Sequence, residues 1–465
     1  MLFSPELIAT DIEELPNRYM VPTPALANSG GFEGFVADTH FTVDRGWFTA
    51  AFSTTVSCAT PGATLAYTLN GSAPTLTNGT LVPAANAGVG PGVTLNISAT
   101  TLLRTAAFKT GFWSTDVDTQ TFIFTNQVRN QPAAPAGYPT TWAGGVAADY
   151  GVEPTVVNST LAGYSFEQAL AALPTLSIVA PHDDLWKVGA GTAGGLYYDT
   201  QQRGLASERR VSLEYFQPDG IGNTWHADAG LRTHGNSSRD HGFTPKHPLR
   251  VYFRGEYGTG KLKEKVFEDS PLQEFNRLNL RAASTDSWPV ADGPPRWVNE
   301  KGTYIRDGYM RKSMRDLGNA AGPSRYVQLF LNGLYWGVYE ITERPEDDFA
   351  AGYLGGGPDE YDVLKDFAEL AAGNTTAWNA LMVLANGAAL TTDAGYWQVQ
   401  GRNPNGSVNA AIEPLLHMAS FIDYMILHIA GGAEDWPRSQ LVERAAARRV
   451  QRWIPLLSVG SGDFQ

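Results

Sequence analysis

The chain of 465 residues contains a single cysteine, Cys58. Because a disulfide needs two cysteines, no disulfide can form within the chain. A lone cysteine fits a cytosolic protein, but it also fits many exported bacterial proteins. The cysteine count therefore leaves the cellular compartment open.

Basic residues are also scarce, with 34 Lys and Arg against 47 Asp and Glu and a net charge of −13. A nucleic-acid backbone needs a basic protein face, so nucleic acid is not expected as the main partner. No apolar run is long enough to span a membrane. Residues 1–19 carry acidic side chains where a signal peptide has a basic end and an apolar core. Either the protein is cytosolic or its true N-terminus lies upstream of Met1.

The composition is that of a globular protein, with 43% hydrophobic and 17% charged residues. Residues 34–125 alternate in polarity and contain turn signals, which predicts a small β-sandwich. The dipeptide Asn70-Gly71 is a strong hairpin signal within this segment. Residues 126–172 are rich in Pro, Ala and Gly and are interpreted as a linker.

A second, mixed domain is predicted to begin at residue 173, so the fold class is α+β. A hairpin is expected to turn at Asn332-Gly333. Helices are predicted over 304–318 and 412–429, the first with Gly318 as a C-cap and the second from its apolar spacing. Strands are expected in the stretches "LPTLSIVA", "RRVSLEYF", "HPLRVYFR", "RLNLRAA" and "RYVQLFLNGLYWGVYEIT".

The most unusual polar stretch is a turn formed by Gly235, Asn236, Ser237 and Ser238, followed by Lys246 just before a strand. A turn of this kind can offer backbone N–H groups to a phosphate, and a nearby lysine can supply a point charge. The plainer interpretation is a solvated hairpin loop, which physics alone favours.

Other charged side chains have structural explanations as well. The basic residues of helix 304–318 are typical of a solvated face, although an arginine there could pair with a phosphate. Glu340 and Glu343 end a strand, where carboxylates can bind metal or take protons. Asp347 and Asp348 are interpreted as capping the helix that follows.

Seven stretches, in this order, resemble the CotH-type (spore coat protein H) atypical kinase family. Together they span residues 173–437. They are "LPTLSIVAPHDDL", "HGNSSRDHGFTPKHPLRVYFRGEYG", "LNLRAASTDSW", "YIRDGYMRKSMRDLG", "VQLFLNGLYWGVYEITERPEDDF", "YDVLK" and "FIDYMILHIAGGAEDWP".

Two N-terminal segments resemble other modules. Residues 34–125, with "DRGWF", "ATPGATLAYTLNGSAPT" and "LRTAAFKTGF", are similar to the Ig-like domain at the C-terminus of chitobiases. Residues 1–33 resemble the remnant of a linker that follows a lamin-tail-like domain. The resemblance therefore implies an Ig-like β-sandwich followed by a kinase-like α+β domain.

The kinase resemblance implies a role for each candidate residue. The turn Gly235–Ser238 approaches the nucleotide phosphates, and Lys246 takes the role of the phosphate-contacting lysine. Arg306 and Glu343 match nucleotide-binding positions, and Asp435 matches the catalytic-loop aspartate. Phosphoryl transfer depends mainly on positioning and charge neutralisation, which such a set of residues supplies.

The same resemblance implies the cofactors, the acceptor and the location. ATP and Mg²⁺ are expected as cofactors, and Ser or Thr of an unidentified exported protein as the acceptor. The protein is then expected outside the cell or in the cell envelope, although residues 1–19 contain no signal peptide.

The resemblance is interpreted as ending at about Pro437. The family has an Asn five residues after its catalytic Asp, where this chain has Gln440, and a later metal-binding Asp. The Arg/Ala-rich tail 438–465 lacks both, and reading it one nucleotide downstream can restore them. We therefore expect an out-of-frame tail, a kinase domain truncated at its C-terminal end, no intact metal site and an impaired enzyme.

The rival hypothesis is a non-catalytic surface or adhesion protein whose two domains display binding faces. Such a protein needs no metal-binding Asn or Asp, whereas a kinase does. A third hypothesis is carbohydrate binding through Trp47 or Trp113, although core packing is favoured for both side chains.

Overall fold

The computed structural model describes residues 32–220, 222–289, 302–365, 369–432, 444–447 and 450–455. The chain divides into two compact units, which are described in turn. The first contains the described residues of Met1–Thr233, Leu249–Glu264 and Tyr326–Tyr339. The second contains those of His234–Pro248, Lys265–Arg325 and Glu340–Gln465.

The strands are numbered in chain order. They are β1 (Gly34–Phe35), β2 (Thr39–Phe41), β3 (Gly46–Phe48), β4 (Phe52–Cys58), β5 (Thr64–Thr68), β6 (Thr80–Pro83), β7 (Gly92–Ile97), β8 (Thr101–Phe108), β9 (Phe112–Trp113), β10 (Asp118–Phe124), β11 (Thr175–Val179), β12 (Arg209–Phe216), β13 (Trp225–Thr233), β14 (Leu249–Tyr252), β15 (Arg277–Arg281), β16 (Ser324–Leu331), β17 (Leu334–Glu343), β18 (Tyr361–Leu364), β19 (Leu370–Ala372), β20 (Arg444–Ala447) and β21 (Val450–Pro455).

The α-helices are numbered in the same way. They are α1 (Thr125–Arg129), α2 (Pro154–Val157), α3 (Phe166–Ala171), α4 (His182–Trp186), α5 (Arg306–Asp316), α6 (Asp347–Leu354), α7 (Thr376–Asn386), α8 (Asp393–Val399) and α9 (Met418–Ala430). Among the described residues, no helix has the length and apolar character needed to cross a membrane.

The N-terminal part of the first unit consists of strands, as predicted for residues 34–125. Its sheets have the orders β2-β4-β7, β3-β10-β8-β5-β6 and β1-β9. The two larger sheets share one buried core, because alternate side chains of each strand face inward. This core is formed by Val36, Phe41, Val56, Cys58, Ala63, Leu65, Ile97, Leu103, Ala107, Phe122 and Phe124. The Ig-like topology remains a prediction.

The hairpin expected at Asn70-Gly71 is not a two-residue hairpin. Strand β5 ends at Thr68, and its partner β6 begins only at Thr80. Asn70 still makes a local turn, since its Oδ1 accepts hydrogen bonds from the backbone N and the hydroxyl of Ser72. A Cβ on Gly71 would lie 3.1 Å from the carbonyl oxygen of Ala180. Gly71 also has a φ of 80°, so its backbone conformation and its close packing against Ala180 both favour glycine.

Residues 126–172, predicted as a linker, are packed in the first unit. Helices α1, α2 and α3 contribute Val128, Val157, Phe166 and Leu170 to a core that also contains barrel residues. Trp142 and Tyr150 are 3% and 2% exposed. Both contact the ring of Trp186. The Pro- and Gly-rich composition therefore describes an irregular segment that is nonetheless buried, because large aromatic side chains stabilise its contacts.

Seven strands form a closed barrel in the order β11-β12-β13-β14-β15-β17-β16. Strand β11 runs parallel to β16 and antiparallel to β12. The sequence predicted these strands but not their closure, since closure depends on pairing between residues far apart in the chain. Trp47 packs on Phe330, and its Nε1 donates a hydrogen bond to Thr175 Oγ1, so the preference for core packing is confirmed for Trp47.

The hairpin predicted at Asn332-Gly333 is confirmed. These two residues have positive φ values of 48° and 77° and connect β16 to β17. A two-residue turn with both central residues at positive φ matches the twist of the strands. The Asn332 side chain also accepts from the backbone N of Ala180 and donates to its carbonyl oxygen, at 2.8 and 3.0 Å.

The second unit holds α5–α9 and a four-stranded sheet of order β19-β18-β20-β21. The helix predicted over 304–318 is confirmed as α5, with Gly318 at φ 84° just beyond its end. The helix predicted over 412–429 begins later, at Met418. Pro414 disfavours helix in the residue before it, and the His417 side chain caps the helix at the backbone N of Ser420.

Candidate functional site

The loop that follows β13 contains the polar turn singled out in the sequence. Gly235 has a φ of 101°, a conformation that a residue with a side chain rarely adopts. Residues Ser237–Arg239 form a 3₁₀ turn, and Arg239 Nε donates to the Gly235 carbonyl oxygen at 2.6 Å. Asn236 and Ser237 are exposed, whereas Ser238 is buried. Asn236 and Ser237 can therefore meet a ligand, while Ser238 supports the loop from inside.

Two histidines stabilise the inner side of this loop. The Nδ1 atom of His247 lies 2.8 Å from the carbonyl oxygen of Ser238, and its Nε2 lies 2.8 Å from Nδ1 of His241. Burial, with a smaller effect of His241, lowers the pKa of His247 to about 3. The ring is thus neutral at neutral pH. Because His247 follows Lys246 directly, its hydrogen bond to Ser238 connects the turn to the end of the loop where Lys246 lies.

Lys246 is half-buried at the end of the loop. Its Nζ lies 5.5 Å from the centroid of the Tyr304 ring, within the range of a cation–π contact. Desolvation lowers the pKa of the Lys246 amino group to about 7. A poorly hydrated ammonium of this kind gains free energy when an anion binds close to it.

A second loop, between β15 and α5, is held by Asp286. The carboxylate accepts hydrogen bonds from the backbone N of Thr303 at 2.7 Å, the Thr303 hydroxyl at 2.9 Å and the backbone N of Arg306 at 3.1 Å. The Nε of Arg306 lies 3.3 Å from the same carboxylate. Asp286 therefore fixes the predicted site residue Arg306 at the start of α5.

The same loop has an unusual backbone. Ala283, Ser284 and Tyr304 have φ values of 61°, 44° and 62°. Non-glycine residues adopt positive φ at a cost in free energy, and such residues are concentrated at functional sites. Sequence reasoning did not assign Asp286 or Tyr304 to the site. The stretch "STDSW" entered only as part of the family resemblance, and no local pattern reveals a strained backbone.

Glu343, a predicted site residue, lies in a buried ionic cluster. Its side chain accepts a hydrogen bond from the Tyr353 hydroxyl at 3.0 Å, and the residue is 3% exposed. Burial raises the pKa of Glu343 to about 8, while Tyr353 and Arg311 oppose the shift. The structure thus places Glu343 in the interior, and its contact with a nucleotide remains a prediction.

Asp307 is the centre of the rest of this cluster. Its carboxylate pairs with Arg281 on β15 and with Arg311 on α5, the latter at 3.0 Å. Burial and the charge of Asp307 raise the pKa of Glu340. Because Asp307 follows Arg306 directly, these pairs hold the first turn of α5 against β15.

The predicted catalytic residue Asp435 and its neighbour Gln440 lie outside the described residues. Within the described part of the chain, no group of three or more His, Cys, Asp or Glu side chains could hold a metal ion. The predicted loss of the metal site therefore remains a prediction that concerns residues beyond Pro437.

Comparison with known proteins adds one finding. No curated protein matches the chain. Residues 231–455 match the family model described as CotH kinase protein, which is just under half of the chain. The matched segment continues past Pro437, contrary to the expectation that the resemblance ends there, and it includes β20 and β21. It contains Lys246, Arg306, Glu343, Asp435 and the turn Gly235–Ser238, so every predicted site residue lies in the part of the chain that is similar to CotH kinase proteins.

Proposed function

We propose that this chain is a CotH-like atypical protein kinase that uses ATP and Mg²⁺ to phosphorylate Ser or Thr of exported proteins. The observation that carries the proposal is the position of Lys246. It ends a glycine-containing loop within the segment similar to CotH kinase proteins, and desolvation lowers the pKa of its amino group to about 7.

The loop residues fit a phosphate ligand. Gly235 has a positive φ, turns of this kind can offer backbone N–H groups to an anion, and Asn236 and Ser237 are exposed. Lys246 then supplies the positive charge. A phosphate compensates for the hydration that burial has removed from the Lys246 amino group, so binding stabilises the ammonium form.

Arg306 is positively charged and lies in the same unit as Lys246. Its contact with Asp286 holds the guanidinium in place before any ligand binds. A preorganised donor loses little conformational entropy when it binds an anion. Arg306 is therefore proposed to contact either a phosphate of the nucleotide or the loop that holds it.

ATP would supply the transferred phosphoryl group, and Mg²⁺ would neutralise its charge. Asp435 is proposed to orient the acceptor hydroxyl. Gln440 stands at the position of the family's metal-binding Asn, and the tail 438–465 lacks the family's later metal-binding Asp. We propose that metal binding and phosphoryl transfer are impaired because these two ligands are missing. The family resemblance places such a protein outside the cell or in the cell envelope.

The test is a transfer assay with γ-³²P-labelled ATP, with and without Mg²⁺, using the full chain and an Asp435→Asn variant. We expect the chain to bind ATP and to incorporate little label. Mg²⁺-dependent incorporation that Asp435→Asn abolishes supports the kinase assignment but refutes the proposed impairment. Absence of both ATP binding and transfer refutes the kinase assignment and favours the non-catalytic binding protein.

A further inference from the structure

Trp288 is the exposed large aromatic residue closest in sequence to Asp286, with 58% of its surface accessible. Its indole is nevertheless fixed in place. The Nε1–H donates a hydrogen bond to the carbonyl oxygen of Gly302 at 2.8 Å. The ring also packs edge-to-face against Tyr304, with 5.0 Å between centroids. Trp288 thus presents an apolar surface whose orientation is already set.

Gly302 permits this close packing because it has no side chain. A Cβ at this position would lie 3.1 Å from Cδ1 of Trp288 and 3.1 Å from the carbonyl oxygen of Asp286. Such contacts are tighter than ordinary van der Waals packing. The backbone at residue 302 therefore holds the indole against the loop that Asp286 organises.

Tyr304 connects this indole to the candidate phosphate lysine. The Tyr304 ring contacts Trp288 at 5.0 Å and the Lys246 ammonium at 5.5 Å, measured to ring centroids. The fixed indole of Trp288 and the desolvated amino group of Lys246 thus both contact the Tyr304 ring. This pair of features suits a ligand with a planar aromatic part and an anionic part.

We infer that Trp288 stacks on the purine base of the nucleotide whose phosphates contact Lys246. The inference rests on the proposed function, since it concerns the nucleotide of that site. Every base has a π face that stacks on an aromatic side chain, and the larger purine rings gain more contact area than pyrimidines. Trp288 is then a specificity-determining residue that favours ATP and GTP over CTP and UTP.

The test compares two probes, ATP and inorganic tripolyphosphate, by isothermal titration calorimetry. Trp288→Ala should weaken ATP binding about ten-fold, within the range measured for base–aromatic stacking. Binding of tripolyphosphate, which has no base, should be unchanged. Trp288→Phe should keep most of the ATP affinity, and its preference for ATP over CTP should exceed that of Trp288→Ala.

One further variant serves as a matched control. Tyr396→Ala removes another exposed aromatic side chain and should bind both probes like the unmodified chain. Thermal unfolding of each variant checks that it is folded.

The outcomes separate this inference from the proposed function. If Lys246→Ala weakens ATP binding while Trp288→Ala does not, the base lies elsewhere and only the inference is overturned. If Trp288→Ala weakens both probes equally, the residue is structural and the inference is also overturned. If the unmodified chain binds neither probe, the proposed function and the inference both fall.

Discussion

At the scale of single residues, burial sets the charge state of Lys246. Desolvation lowers its pKa from 10.5 to about 7, so in the free protein the amino group changes charge near neutral pH. A bound phosphate favours the ammonium form and raises the pKa again. The phosphate affinity due to this lysine should thus be present in full below pH 7 and decline as the pH rises above it.

The pH dependence of ATP binding tests this directly. Between pH 7 and 9 we expect ATP affinity to fall and binding to take up a proton at Lys246, which calorimetry in buffers of different ionisation enthalpy detects. Lys246→Arg should bind ATP without this proton uptake, because a guanidinium stays charged throughout the range. Equal proton uptake by the unmodified chain and Lys246→Arg would assign the proton to another group.

Glu343 gives a prediction about the pH dependence of folding stability. Its pKa rises from 4.5 in the unfolded chain to about 8 in the folded protein, so the folded state binds an extra proton between these values. The stability contributed by this proton is present in full below pH 4.5 and is lost as the pH rises through about 8.

Glu343→Gln should remove this dependence, because a glutamine keeps an acceptor for Tyr353 without a titratable proton. The difference in unfolding free energy between the variant and the unmodified chain should shift in favour of Glu343→Gln as the pH rises from 5 to 9. Taking the difference cancels the other titrating groups. A difference that stays constant over this range would show that Glu343 is ionised in the folded protein.

At the scale of elements, one dipeptide gives two different structures. Asn332-Gly333 forms the predicted two-residue hairpin, whereas Asn70-Gly71 begins a longer loop before β6. The local signal is the same in both places. At Gly71 the Ala180 backbone approaches closely, and the sequence around the turn contains no sign of this non-local contact.

The Asn332 turn should depend on its side chain as well as on its backbone. Asn332→Gly retains the positive φ but loses both hydrogen bonds to Ala180, at an expected cost of about 1–3 kcal/mol. Asn332→Ala should cost about 1 kcal/mol more, since alanine is strained at positive φ. Chemical denaturation measures both values. Equal stability of the two variants would mean that backbone strain at residue 332 is negligible.

The sequence predicts those parts of the candidate site that consist of short, continuous stretches of the chain. The turn at Gly235, Lys246 and the start of α5 at Arg306 follow from short stretches, and the structure places all three in the second unit. Asp286 and Tyr304 were missed, because their importance arises from contacts with residues 17 or more positions away or with another loop. The burial of Glu343 was missed because alternation along a strand does not show which face is inside.

At the scale of the whole molecule, composition misled for residues 126–172. Pro, Ala and Gly predicted a linker, but the few aromatic residues of this segment decide its packing. Native-state digestion with chymotrypsin should therefore spare Trp142 and Tyr150, which are buried. Mass spectrometry identifies the cut sites. Early cleavage at either residue would show that the segment opens easily and would restore the linker interpretation.

The proposed kinase function depends on Lys246 as the phosphate-binding residue. Calorimetric titration of the full chain with ATP and Mg²⁺ tests it most directly, with Lys246→Ala and a control, Lys312→Ala. Lys312 is an exposed lysine of the same unit that pairs with Asp316 at 2.6 Å. We predict that Lys246→Ala weakens ATP binding by about 1–3 kcal/mol, the cost of losing a charge-assisted hydrogen bond, while Lys312→Ala binds like the unmodified chain. Equal ATP affinity of Lys246→Ala and the unmodified chain would contradict the account.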